Sequence, residues 1–259
     1  MMLYTADFET TTDPADCRVW ATGICTIDDN NKFFHGNSIE YFFNFARLHP
    51  NSTFYFHNLK FDGEFILCWL FEHGFTHVTD RKALKENCFT TLISDKGQFY
   101  SLEICFGQKM KVKIYDSLKI LPFSVAQVAK GFNLPISKLE IDYDEKREIG
   151  HVLTKQEVDY LRNDVEIMAR ALKVLFDQQL TQMTQGSNAL HDYKNTIGMK
   201  NFKRWFPIPK YDYDIRQSYK GGFTYCDSRF QRTGHRGRNR SGREQLVSLS
   251  HVLQPAPIW

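Results

Sequence analysis

The stretch MMLYTADFETTT, residues 1–12, places two carboxylates, Asp7 and Glu9, on either side of Phe8. An extended strand sends residues i and i+2 to one face, so this spacing puts both acids on one side and the phenyl ring on the other, toward a core. Two like charges this close repel. They are tolerated either as solvated acids on an exposed strand face, or around a hard divalent cation that converts repulsion into attraction. Taken alone, D-x-E leans toward the solvated face, because the pattern is short and common.

Outward from this strand, a second apolar run near residues 19–27 follows the turn TTTDPADC. Asn37 or Ser38 is placed to cap a short helix whose apolar positions Ile39, Phe42, Phe43 and Ala46 fall at helical spacing. STFYFHN reads as a strand, and KFDGEFILCWLFEHGF as a helix packed through Ile66, Leu67, Trp69, Leu70 and Phe71. Three β-rich runs, NCFTTLIS, QFYSLEICF and KVKIYDSL, are separated by the turn-like DKGQ and GQK and read as antiparallel neighbours. SVAQVAKGF is a short helix closed by Gly131 or Asn133. The longest helix starts with a T-x-x-E capping box, Thr154 and Glu157, and buries Val158, Leu161, Val165, Met168 and Leu172. Strands followed by packing helices define a mixed α/β domain that ends near residue 185, at the linker-like TQGSN.

Two further segments carry isolated acids. In HNLKFDGEF, residues 57–65, Asp62 sits where a strand gives way to a helix; a helix N-terminal acid favoured by the dipole is the plain alternative. In YLRND, Tyr160 and Asp164 are four apart and share a helix face. Asp164 interrupts a core-directed stripe, and a buried unpaired acid is costly. Together Asp7, Glu9, Asp62 and Asp164 form a set of four carboxylates able to hold two divalent ions, Mg²⁺ or Mn²⁺, about 3.5–4 Å apart, as in two-metal phosphoryl transfer. One ion would activate a water and the other stabilise the departing oxygen, with Tyr160 aiming the attack.

Composition sets the frame for that site. The 259 residues are 42% hydrophobic and 15% aromatic, enough for one large core, and no apolar run approaches the roughly 20 residues of a membrane span. The start lacks the basic and apolar stretches of a signal peptide, so a soluble, intracellular protein is expected. Six scattered cysteines form no C-x-x-C pair and read as core fillers rather than zinc ligands or disulfides. A net charge of +3 is compatible with nucleic acid without arguing for it.

The combination ADFETTT, FHNLKFDGEF and YLRND resembles the three exonuclease motifs of the DEDD superfamily in its tyrosine-bearing form, found in proofreading DNA polymerases. The histidine-bearing branch would have His five residues before the last acid, where this chain has Asp159. YDSLKILPF, KLEIDYDEKR and YKGGFT are similar to segments of protein-primed family B DNA polymerases of phi29-like phages, and the resemblance runs from residue 3 to about residue 230. It implies a ribonuclease H-like fold with a mixed sheet flanked by helices, and a 3′–5′ exonuclease domain over residues 1–185 followed by the start of a polymerase palm over 186–230. It implies that Thr10, Asn58, Phe61, Phe65, Ser117, Leu118 and Tyr143 contact the single-stranded primer end, and that Lys138 assists at the centre. Aromatic faces suit stacking on bases, and amides and hydroxyls suit phosphates and sugars; core packing is the alternative for Phe61, Phe65 and Leu118. His57 is expected to be structural, or a contact to the priming protein, rather than a general base. In YKGGF the resemblance puts Tyr219 at the primer, with Gly221 and Gly222 allowing close backbone approach. The implied partners are a single-stranded DNA 3′ end, primer-template DNA and a terminal priming protein, without a membrane, for a monomer in the cytoplasm of the bacterial host.

After Phe230 the likeness stops, and the family's metal-binding aspartate and S-L-Y-P signature are missing. The arginines 232, 236, 238, 240 and 243 allow a basic, phosphate-holding arm. A frameshift between about Phe230 and Gly234 is the other explanation, since GREQLVSLSHVLQPAPIW, read one nucleotide later with suitable synonymous codons, spells DVNSLYPSHMYYSLLPYG. On that reading residues 231–259 are an aberrant tail and the polymerase centre is lost. The expected activity is then metal-assisted removal of nucleotides from a DNA 3′ end. The rival expectations are a stand-alone exonuclease acting on RNA, and an inactive fragment that only binds single-stranded DNA or the priming protein.

Overall fold

β1 (Leu3–Thr10) runs inside an eight-stranded sheet and sorts its side chains by the two-residue period. Tyr4, Ala6 and Phe8 enter the main aromatic core, while Thr5, Asp7 and Glu9 face the other way. The structure, a computed structural model, describes residues 2–218 except 14, 109 and 144. The remaining strands are β2 (Val19–Thr26), β3 (Phe33–Gly36), β4 (Thr53–Phe56), β5 (Thr76–His77), β6 (Cys88–Ile93), β7 (Phe99–Gly107) and β8 (Met110–Asp116). Their spatial order is β3-β2-β1-β4-β8-β7-β6-β5. β3, β2 and β1 pair antiparallel, β1, β4 and β8 parallel, and β8, β7 and β6 antiparallel, with β5 parallel to β6. An antiparallel trio followed by two parallel strands is the arrangement of a ribonuclease H-like core.

Helices cover both faces. α1 (Ile39–Leu48) and α2 (Leu59–Glu72) bury Phe42, Phe43, Phe45, Leu59, Ile66, Trp69 and Leu70 against Tyr4, Phe8, Phe54 and Phe56. Burial of each of these side chains contributes about 1.5–3 kcal/mol. α3 (Val125–Gly131) and α4 (Lys155–Asp177) cover the opposite face through Val128, Ala129, Ile167, Met168 and Leu172, packed with Tyr55, Ile120 and Leu121.

Two contacts fix α4 over β1. Thr5 Oγ1 donates to the Val165 carbonyl at 2.8 Å, one residue beyond Asp164. Gly23 of β2 lies opposite Asp7, and a Cβ there would stand 2.7 Å from Leu161 Cγ. The missing side chain lets α4 come down on the sheet beside the acid pair.

The anticipated strands and helices form, including the Thr154–Glu157 capping box, in which each partner binds the other's backbone N–H. β3 and β5 were not anticipated, because four and two residues are too short to show a period. TQGSN opens a helix that was not anticipated: Thr184 caps α5 (Gln185–Ile197), its Oγ1 accepting from the Ser187 N–H at 3.1 Å. The first compact unit runs through Met199. The second begins at Lys200, and its described residues form most of α6 (Met199–Trp205) and α7 (Asp212–Ser218). Tyr219, Gly221, Gly222 and the segment 231–259 lie outside the described residues. Among the described residues no helix is long and apolar enough to cross a membrane.

Candidate metal centre

β1 outlasts its parallel partner. Pairing with β4 ends at Thr5–Tyr55, because β4 turns into α2 through Asn58 in the left-handed region, φ +70°. The Phe8 N–H therefore lacks a strand partner on that side, and Asp62 Oδ1 accepts it at 3.2 Å. Asp62 belongs to the first turn of α2 and is 3% exposed. Asp116, at the end of β8, fixes the turn by accepting from the Asn58 and Leu59 N–H groups at 3.1 and 3.3 Å.

From the other side α4 delivers Asp164. Asp7, Glu9 and Asp164 each offer a carboxylate oxygen within 4.8 Å of the others, and Asp62 lies outside this trio while adjoining it through Phe8. Three hard oxygen donors suit Mg²⁺ or Mn²⁺. Asp164 Oδ1 is buried and makes no hydrogen bond among the described residues, whereas Oδ2 takes the Lys138 ammonium at 2.8 Å. A buried carboxylate oxygen without a donor is costly, and a cation is the partner that fits it.

The acids hold their protons against each other. Burial and the charge of Asp164 push Asp7 up to about 7, and burial with Asp7 and Asp164 pushes Glu9 up to about 9. Asp62 is raised by burial and then by Asp7, and Asp164 is raised by burial against the pull of Lys138 and of the Tyr160 hydroxyl. Lys138 stays charged: burial works against its ammonium, but the hydrogen bond to Asp164 outweighs it. Tyr160 is 2% exposed, and its hydroxyl meets that of Tyr143 at 2.6 Å. Burial, Glu9 and Asp164 hold the phenol far above its ordinary value, so it is a neutral hydroxyl and no base.

The other residues singled out by resemblance fall around this centre with different exposures. Thr10 ends β1 half-buried, and Phe61 and Phe65 present rings 5.7 Å apart on α2, Phe61 being half exposed. Tyr143 is about half exposed although its hydroxyl reaches inward. Ser117 is fully buried, with Oγ on the Phe56 carbonyl at 3.0 Å, and Leu118 beside it is half-buried. His57 has both ring nitrogens occupied, by Ser117 Oγ at 3.0 Å and the Phe123 carbonyl at 2.7 Å, and burial lowers its pKa. Sequence reasoning missed Asp116 as the residue that orients α2. An Asp at a strand end followed by Ser is the local signal for such backbone capping.

The family model for DNA polymerase type B, organellar and viral, matches residues 46–154 and 139–233, and the chain belongs to that family. It is 44% identical over 236 residues to the DNA polymerase of Bacillus phage M2 and 44% identical over 235 residues to that of Bacillus phage phi29. Each match covers 88% of this chain and 40% of the relative. A DNA polymerase of Streptococcus phage Cp-1 is 30% identical over 272 residues, 98% of this chain and 44% of the relative. The structure superposes on phi29 DNA polymerase complexed with single-stranded DNA, and on its ternary complex with primer-template DNA and incoming nucleotides. The TM-scores are 0.78 and 0.77 at 41% identity, over 88% of this chain and 41% and 40% of those chains. The chain thus spans about 40% of the length of the curated phi29 and M2 relatives it matches.

Proposed function

We propose that residues 1–185 form a 3′–5′ exonuclease of the tyrosine-bearing DEDD type, which removes nucleotides from the 3′ end of single-stranded DNA during phage DNA replication. The carrying observation is the convergence of Asp7, Glu9 and Asp164 with a buried, unpartnered Asp164 Oδ1. Residues 186–230 begin the polymerase palm and 231–259 are a divergent tail. The partners are single-stranded and primer-template DNA and a terminal priming protein, for a monomer working in the host cytoplasm. The crystallised phi29 polymerase complexes with single-stranded and primer-template DNA support the choice of substrate. Template-directed synthesis is assigned to none of the described residues.

Asp7, Glu9 and Asp164 would hold one divalent ion, and Asp7 with Asp62 a second. When bound, such ions activate a water and stabilise the departing oxygen. The protein's own share is orientation. Lys138 holds Asp164 by one oxygen and leaves the other without a hydrogen-bond partner, so that it could serve as a ligand. Tyr160, a neutral hydroxyl braced by Tyr143, aims the water, while Phe61, Phe65 and the exposed part of Tyr143 hold the last bases by stacking. Thr10, Asn58 and Leu118 line the path of the strand end, with Ser117 buried beneath it and bonded to the Phe56 carbonyl rather than open to a strand; Tyr219, Gly221 and Gly222 would serve the primer at the palm junction.

Matched DNA and RNA oligonucleotides with free 3′ ends, incubated with Mg²⁺, test this reading. Stepwise shortening of DNA from the 3′ end is expected. Preferential digestion of RNA would replace the substrate, and binding without cleavage would replace the enzyme.

A second expected result concerns acidity. Asp7 and Glu9 have folded pKa values above their unfolded ones, so the folded state holds extra protons and these two groups lose stabilising effect as pH rises through about 7 and about 9. Ion binding displaces those protons. The melting temperature gained on adding Mg²⁺ or Mn²⁺, relative to a chelator, should therefore widen from about pH 6 to about pH 9. Calorimetry at a series of pH values reads this, and a gain independent of pH would count against ion binding by these acids.

A further inference from the structure

Residues 132–154, between α3 and α4, form no regular element among the described residues, yet they carry both Lys138 and Tyr143 to the centre. A connection this long without secondary structure is uncommon inside a compact domain and is usually functional. Its conformation is organised around Arg147, which is 4% exposed. Nε donates to Glu157 Oε1 at 2.7 Å, Nη1 to the Glu145 carbonyl at 2.9 Å, and Nη2 to the Asp142 carbonyl at 2.9 Å. The guanidinium carbon lies 4.2 Å from the centre of the Trp20 ring, and Arg18 donates to the Arg147 carbonyl. The planar fork thus wraps residues 142–147 around one cation, with Tyr143 inside the wrapped segment.

The other end of the clamp is on α4. Glu157, 5% exposed, also accepts from His151 Nε2 and from the Thr154 N–H, both at 2.8 Å. Burial alone would raise its carboxyl, but Arg147, His151 and Thr154 hold it down at about 2, so the anion persists. Glu157 lies about one turn before Tyr160 on the same helix, so the segment that bears Tyr143 is tied to the element that bears its partner.

We propose that Arg147 is a positioning residue for the exonuclease reaction, a role that rests on the reading above. By clamping residues 142–147 to the first turn of α4, it holds the Tyr143 hydroxyl against Tyr160 and so fixes the group that aims the attacking water. Lysine at this position keeps the charge opposite Glu157 but has no fork to span both carbonyls.

The test compares wild type, Arg147→Lys, Tyr143→Phe and the double variant, in single-turnover and steady-state cleavage of a single-stranded DNA oligonucleotide with Mg²⁺. Arg147→Lys should lower kcat about 10- to 100-fold with KM and the Mg²⁺-induced melting shift nearly unchanged. The double variant should be no slower than the slower single variant. Unchanged kcat, or losses that multiply, would overturn the role. Where Arg147→Lys fails to fold, Glu157→Gln enters the same comparison. Hydrogen exchange provides a readout independent of cleavage: amides of residues 141–147 should exchange faster in Arg147→Lys, and those around 160–168 should not. Unchanged exchange at 141–147 overturns the clamp. Faster exchange in a protein whose wild type cleaves nothing leaves the clamp standing and removes the exonuclease assignment.

Discussion

Asp7→Ala is expected to slow Mg²⁺-dependent release of nucleotides from a single-stranded DNA 3′ end by about 10³-fold or more. Asp7 stands between the other acids: Glu9 and Asp164 share a cluster with it, and its charge acts on Asp62. In the proposed arrangement Asp7 serves both ion positions, so both lose a ligand at once. The same substitution should leave the fold intact, and in a chelator near pH 8 it should leave the melting temperature equal or higher. A buried acid kept ionised beside like charges destabilises the folded state, and its removal relieves that. Lost cleavage with undiminished stability is the expected pair of results. Cleavage within tenfold of wild type would contradict the proposed role of this acid.

Phe42→Ala should cost about 3–5 kcal/mol of stability, read as a lower urea midpoint at unchanged m-value. Phe42 is fully buried, with ring centroids 5.5, 5.1 and 5.4 Å from those of Phe8, Phe54 and Phe56 in edge-on contacts. Deleting the ring removes its burial and leaves a cavity that its neighbours, already held by other strands, fill only in part. The effect reaches the acids through Phe8, which lies between Asp7 and Glu9 on β1 and is braced by Phe42 from the opposite face. Cleavage should fall along with stability. A loss below about 1 kcal/mol would show that the cluster repacks around the gap.

The parts of this design that repeat locally were legible in the sequence. The alternation around Phe8 placed Asp7 and Glu9 on one face, and the box of Thr154 and Glu157 marked where the longest helix begins. The four acids could be put forward as a set only because three short segments occur together in order; the structure clusters Asp7, Glu9 and Asp164 and leaves Asp62 adjoining them through Phe8. What joins them was not legible. The bond from Asp62 to the Phe8 N–H links residues 54 apart, and it exists because β4 stops pairing with β1 at Thr5, two residues before Asp7. Glu157 read as a helix cap alone, and its second role depends on Arg147 folding back from an irregular segment that has no period to detect. The small strands β3 and β5 form through pairing with neighbours, which single-residue preference does not record.

Gly23 carries a consequence for how such a centre can be lost. The acids themselves are spread over β1, α2 and α4, yet the seat of α4 beside them includes one position on β2 that holds nothing but hydrogen. A valine there would overlap the Leu161 side chain, and where that side chain could not turn aside the helix bearing Asp164 would have to move while every carboxylate stayed in the gene. A lineage drifting at this codon would keep the whole signature of a nuclease and still have been disarmed, so an intact set of acids is a weaker sign of activity than an intact set with room beneath the helix.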